Sequence, residues 1–231
     1  MSRNAAVGTA LADAAPGLDL ELAPEIPFPS PSGIILLDPS EEFRTLRTRL
    51  EQLQSARAVQ IVLLTSPSPG DGKSFIAANL ALAEAQLADN PTLLCDFDLR
   101  HPVLHSAFGM DRSPGVSDYL LGSAVLPDVL RRIGTSNLCV MPAGEAVANP
   151  LGLLHLKEAR QLMDRLRNTF RWIFLDSPAL LAASDANLLA ALADGTLLVT
   201  RIGATGTDAM GRAIGSLGAE NILGMVANGI L

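Results

Sequence analysis

From residue 59 onward the chain alternates short, almost unbroken apolar runs with stretches in which apolar positions recur every three or four residues. The runs at 60–65, 92–97, 137–141, 172–176, 196–200 and 222–227 are too short for buried helices and too continuously apolar for half-exposed strands. They read as strands covered on both faces. Helical spacing is predicted between them at about 73–88, 115–121, 155–169, 184–192 and 206–217. Strand and helix in alternation predict an α/β fold, a doubly wound and mostly parallel sheet, whose ligands bind beyond the carboxyl ends of the strands.

Upstream, Asp38-Pro39-Ser40-Glu41 reads as an N-cap aspartate, a proline at the first helical position and a glutamate at the third, opening a helix over 39–56. Residues 1–33 are rich in Ala, Pro and Gly and have no sustained period. Such a segment buries too little surface to offset its ordering entropy, so a flexible tail is predicted, followed by one domain over 34–231.

Composition narrows the function. A net charge of −7, with Lys73 and Lys157 the only lysines among 231 residues, argues against nucleic acid as a partner. Cys95 and Cys139 sit inside apolar runs and read as buried thiols, which fits a reducing cytosol better than a disulfide framework. No apolar run reaches the roughly 18 residues of a membrane span, because Asp185 and Asp194 interrupt the longest, and no signal-peptide core is present. Membrane association is therefore expected only through a partner.

Three segments carry chemistry. Ser66-Pro67-Ser68-Pro69-Gly70-Asp71-Gly72-Lys73-Ser74 lies between a predicted strand and a predicted helix. Backbone amides of such a loop can cradle nucleotide phosphates, with Lys73 reaching the β and γ phosphates and the Ser74 hydroxyl on Mg²⁺. Pro67 replaces the first glycine of the general pattern; an ordinary strand-to-helix turn is the alternative. Asp96 and Asp98 are two apart at a strand end and so face one side, where they could hold Mg²⁺, order its waters or take a proton from an attacking hydroxyl. Surface carboxylates capping a strand are the alternative there. Trp172-Ile173-Phe174-Leu175-Asp176 is an apolar strand ending in one carboxylate, the form that orients Mg²⁺ in phosphate-loop enzymes.

Together these segments resemble the bacterial tyrosine kinases and related ATPases of capsule and exopolysaccharide loci. The resemblance runs from about Glu41 to Asn228, with the loop as Walker A, Asp96-Phe97-Asp98-Leu99-Arg100-His101-Pro102 as Walker A′ and Asp176-Ser177-Pro178 as Walker B. It implies a phosphate-loop fold of the MinD-like type and ATP- and Mg²⁺-dependent transfer to tyrosine. Lys73, Asp96 and Asp98 would be catalytic, one of the aspartates acting as base, and Ser74, Asp96 and Asp176 would hold the metal. Ser68, Pro69, Gly70, Asp71, Gly72, Lys73, Ser74, Phe75, Arg201 and Asn228 would bind ATP, Asn228 near the base. Glu41, Arg44 and Arg47, in register with the family's Glu-x-x-Arg-x-x-Arg element, would present a charged helix face for ring-like self-association; a solvated face is the alternative. The resemblance further implies a membrane polysaccharide co-polymerase as activating partner, weak activity without it, and a cytoplasmic location peripheral to the membrane.

The departures are specific. Ser68 stands where MinD and ParA relatives carry a second lysine, which disfavours a partitioning or septum-site ATPase. Phe75 replaces a small hydroxyl residue and is expected to pack under its helix. The tyrosine-rich tail of the family has no counterpart before Leu231, and Tyr119 is the only tyrosine, which keeps open a module that assembles on ATP without phosphorylating itself. His101, His105 and His155 lack the spacing of a zinc site. Trp172 reads as core, Asp185 and Asp194 as capping or turn residues, and Arg100 as a partner for Asp96 or Asp98 or a phosphate contact.

Overall fold

In the computed structural model, residues 18–30, 34–36, 38–154 and 157–229 are described. Eight strands form one sheet among them. In chain order the elements are β1 (Glu25–Ile26), α1 (Glu41–Ala56), β2 (Ile61–Thr65), α2 (Lys73–Ala85), β3 (Thr92–Asp96), α3 (Leu104–Ala107), α4 (Val116–Leu120), β4 (Arg131–Ile133), β5 (Leu138–Met141), α5 (Pro150–Leu154), α6 (Lys157–Arg167), β6 (Trp172–Asp176), α7 (Asp185–Ala190), β7 (Gly195–Arg201), α8 (Thr207–Leu217) and β8 (Ile222–Asn228). The sheet order is β1-β4-β5-β3-β6-β2-β7-β8, parallel except where β4 meets β5.

All residues of β2, β3, β5 and β6 are buried, so their apolar runs are continuous because both faces are covered. Alternation divides them between two cores. Ile61, Leu63, Leu93, Cys95, Ile173 and Leu175 pack on one face with α6; Val62, Leu64, Leu94, Trp172 and Phe174 pack on the other with α2. Trp172 stacks on Phe174 at 5.9 Å between ring centroids, a core role. Cys95 and Cys139 are free and buried, and burial pushes the Cys139 thiol up to about 12.

Helix α1 buries a stripe of Phe43, Leu46, Leu50 and Leu53 against α2, the spacing of an amphipathic helix. Its N-cap is Ser40, not Asp38; Asp38 instead forms a two-oxygen ion pair with Arg44 at 2.9 and 3.0 Å. Asn79 in the middle of α2 is fully buried, and its side chain accepts from the Leu36 amide at 2.8 Å and donates to the Ile34 carbonyl at 2.7 Å. The segment before α1 is thereby clasped to the helix that begins at Lys73.

The segment expected as a flexible tail differs where it is described. Ala23 is buried in the core, and Glu25–Ile26 adds a parallel strand beside β4, with the Arg132 and Gly134 amides donating to Pro24 and Ile26. Two residues at a sheet edge are too few to show a period, and the prolines can stand there because an edge strand leaves some donors unused. Residues 1–17 and His155 lie outside the described residues. Strand β4 and helices α3 and α5 are likewise too short for periodicity to register.

Candidate phosphate-transfer site

The segments predicted to carry chemistry converge at the carboxyl edge of the sheet, where β6 lies between β3 and β2. The chain leaves β2 through residues 66–72 and enters α2 at Lys73. Gly72 is the N-cap, with φ +95° and no side-chain cap. A Cβ there would collide with the Asn228 side chain, so glycine is required by conformation and space together. Among the described residues the amides of Gly70, Gly72, Lys73 and Ser74 meet no acceptor, which leaves a row of donors at a helix N-terminus.

Asp71 holds this loop in shape. One carboxylate oxygen accepts from the Ser68 amide at 2.9 Å, the other from the Thr205 hydroxyl at 2.8 Å, and the Asp71 carbonyl accepts from Asn228 Nδ2 at 3.0 Å. Thr205 Oγ1 in turn accepts from the Arg201 amide at 2.8 Å. Arg201 and Asn228 are register partners at the ends of β7 and β8. Asn228 thus turns its amide to the loop, and its role in this structure is to hold the backbone that leads into α2. Thr205 was not anticipated from sequence, because only the pairing of β7 with β2 brings it to a residue 134 positions away. Phe75 turns away from the loop and meets Phe43 of α1 edge-on at 5.7 Å.

Lys73 Nζ lies 3.3 Å from Asp98 Oδ2, both side chains largely buried. The other Asp98 oxygen accepts from the His101 amide at 3.0 Å. Asp96 is engaged differently: one oxygen accepts from the Asp98 amide at 3.2 Å, the other from Val103 and Leu104 at 3.1 and 3.0 Å. Its carboxylate shapes the turn that presents Asp98. Burial, then the neighbouring Asp176, hold the Asp96 pKa well above the usual carboxylate range.

Asp176 is the register partner of Asp96 on β6 and is completely buried. Neither of its oxygens meets a hydrogen-bond donor in good geometry; Ser74 stands close enough to stabilise the charge without forming a well-aligned bond. Burial pushes its pKa up to about 6 against the pull of Lys73 and Ser74. A buried carboxylate with both oxygens unspent, beside a hydroxyl, is an oxygen donor set that fits a hard divalent cation; the Lys73 ammonium contributes no ligand to it. Among the described residues no three His, Cys, Asp or Glu side chains converge as a cage for a metal.

Arg100 pairs with neither Asp96 nor Asp98. Its guanidinium takes Asp185 at 2.7 and 3.2 Å, fastening the turn after β3 to α7. Asp194 lies at the opposite edge of the sheet, accepting from the Gln60 and Ile61 amides at 2.9 and 2.8 Å and from Arg167 at 2.6 and 2.8 Å.

The charged helix face is divided. Glu41 and Arg44 are exposed and 3.5 Å apart, but Arg47 turns inward and donates to the Ala83 carbonyl of α2 at 2.9 Å. Only the first two of the three present charge outward.

No protein-family model matches the chain. The tyrosine-protein kinase YwqD of Bacillus subtilis is 34% identical over 192 residues, which are 82% of this chain and 81% of that protein. The chain belongs to the bacterial tyrosine-protein kinases. It is an ATP-dependent phosphotransferase by class. A putative tyrosine-protein kinase of Ralstonia solanacearum, EpsB, is 40% identical over 71% of this chain, although that stretch is only 22% of the longer protein. Among solved structures, the kinase domain of the Escherichia coli tyrosine kinase ETK superposes with a TM-score of 0.78 at 31% identity, covering 82% of this chain and 75% of that one. The mostly parallel sheet expected from sequence is the architecture of these kinase domains.

Proposed function

We propose that the chain from about Leu18 onward forms an ATP- and Mg²⁺-dependent protein-tyrosine kinase domain that acts in the synthesis or export of an exopolysaccharide or capsule. The observation that carries the reading is the approach of Lys73 to Asp98 at 3.3 Å beside the unspent carboxylate of Asp176. In the nucleotide complex Lys73 exchanges Asp98 for the β and γ phosphates, and the free amides of the loop neutralise charge that develops on the transferred group. Mg²⁺, when bound, would add electrostatic stabilisation and a template for the phosphates, and Ser74 and Asp176 are the residues to hold it, with Asp96 behind them. Asp98, released by Lys73, is the base that takes the acceptor's phenolic proton. Asp96 is already spent on three backbone amides and serves as the organiser of that base.

Arg201 and Asn228 border the place where the nucleoside would lie. Glu41 and Arg44 offer a charged patch for self-association, with Arg47 as its internal anchor. No helix among the described residues is long and apolar enough to cross a membrane. A membrane polysaccharide co-polymerase supplies the membrane attachment and the activation, and it places the domain at the cytoplasmic face. The test is phosphotyrosine formation from labelled ATP, with and without the cytoplasmic tail of such a partner. Turnover that survives Lys73→Met would overturn the site.

A second reading rests on Tyr119 being the only tyrosine in the chain: a module that binds ATP, assembles and switches the export machine without phosphorylating itself. ATP-linked assembly without phosphotyrosine supports it.

A further inference from the structure

Tyr119 lies on α4, its ring half-buried against the core that α6 covers. Its hydroxyl accepts a hydrogen bond from Arg165 Nη1 at 3.2 Å. Among the described residues the Arg165 guanidinium pairs with no carboxylate and makes no other hydrogen bond, so the rest of it is unspent. Both side chains line an open groove of about 710 Å³ between α4 and α6, floored by Leu120 and Leu126. A phosphate-binding group therefore faces the only tyrosyl oxygen in the chain, with room beside it.

We infer that Tyr119 is a phosphoacceptor of the enzyme itself and that Arg165 clamps the phosphate once it is attached. This rests on the kinase reading above and names its acceptor. An arginine fork matches two phosphate oxygens, and a phosphotyrosine carries about −1.5 to −2 charges for it to neutralise. Glu158 lines the same groove and repels the new charge, so Arg165 decides whether the phosphate is held.

Transfer is between two molecules. Tyr119 packs into the core on the α6 face of the sheet and its hydroxyl is held by Arg165 of α6, whereas Lys73 opens α2 on the other face. In the step, Tyr119 Oη of one copy forms a bond to the γ-phosphorus of ATP held by another. The bond from that phosphorus to the β–γ bridging oxygen breaks, ADP leaves, and the phenolic proton passes to Asp98 of the donor copy.

The test mixes a Tyr119→Phe enzyme, with an intact site, with a Lys73→Met chain as acceptor, adds ATP, and maps phosphotyrosine by mass spectrometry beside a glutamate–tyrosine copolymer as external substrate. Label at Tyr119 of the Lys73→Met chain, rising with its concentration, is expected, together with unchanged labelling of the copolymer by Tyr119→Phe. Arg165→Ala is expected to expose the attached phosphate to an added tyrosine phosphatase about tenfold faster, with Arg165→Lys between. Copolymer labelled while Tyr119 stays bare overturns this inference and leaves the kinase reading intact. No label on either, with the cytoplasmic tail of the membrane partner added, overturns both.

Discussion

Glu84 and Asn90 share a buried hydrogen bond of 2.9 Å at the far end of the helix that begins with Lys73. Burial lifts the Glu84 carboxyl from 4.5 to about 8, partly offset by Asn90, Arg47 and Arg171. At neutral pH the folded protein keeps this proton and the unfolded chain has released it. Stability from this group is thus fully present below about pH 4.5 and is lost as pH rises to about 8. Glu84→Gln is expected to flatten that slope and to raise stability at pH 7.5 by about 1–3 kcal/mol, read from urea unfolding at several pH values.

The two aspartates of the turn after β3 should separate by phenotype. Asp98→Asn is expected to lower kcat by about 10²–10⁴ with an unchanged melting temperature, because it removes the proton acceptor but few structural bonds. Asp96→Ala frees three buried amides and is expected to unfold the turn, lowering the melting temperature together with activity. Single-turnover kinetics beside thermal melts will distinguish them.

Gly72→Ala suffers both a left-handed φ and a collision with Asn228. Removing the collision with a second change, Asn228→Ala, should recover part of the lost ATP affinity and leave about 1–2 kcal/mol of backbone strain. Nucleotide titration of the two single variants and the double variant tests this; full recovery would mean that the φ at this position is not essential.

On α1, Arg44→Ala should reduce self-association in sedimentation velocity with no change in melting temperature, because its partners Asp38 and Glu41 are at the surface. Arg47→Ala leaves the Ala83 carbonyl without its side-chain donor and a gap between α1 and α2, and is expected to cost about 1–3 kcal/mol of stability.

What could be read from the sequence was what local pattern encodes. Strands covered on both faces announce themselves as apolar runs, and Gly72-Lys73-Ser74 combines a required backbone shape with required chemistry. Side-chain direction was less legible. Arg44 and Arg47 occupy equivalent places in a repeat of three, yet one faces water and the other the Ala83 carbonyl, because the helix turns 300° in three residues rather than a full circle. Sequence proximity offers Arg100 an ion pair with Asp96 or Asp98 or a phosphate contact, but the turn after β3 carries it to Asp185. Thr205 could not be placed until the order of β2, β7 and β8 was known.

The Asn228–Asp71 bond joins residues 157 positions apart. A ribosome has released Lys73 and Ser74 long before it reaches the strand that steadies their loop. The nascent chain therefore carries every residue of the loop without its final shape, and ATP affinity should appear abruptly, once β8 has emerged and closed against β7.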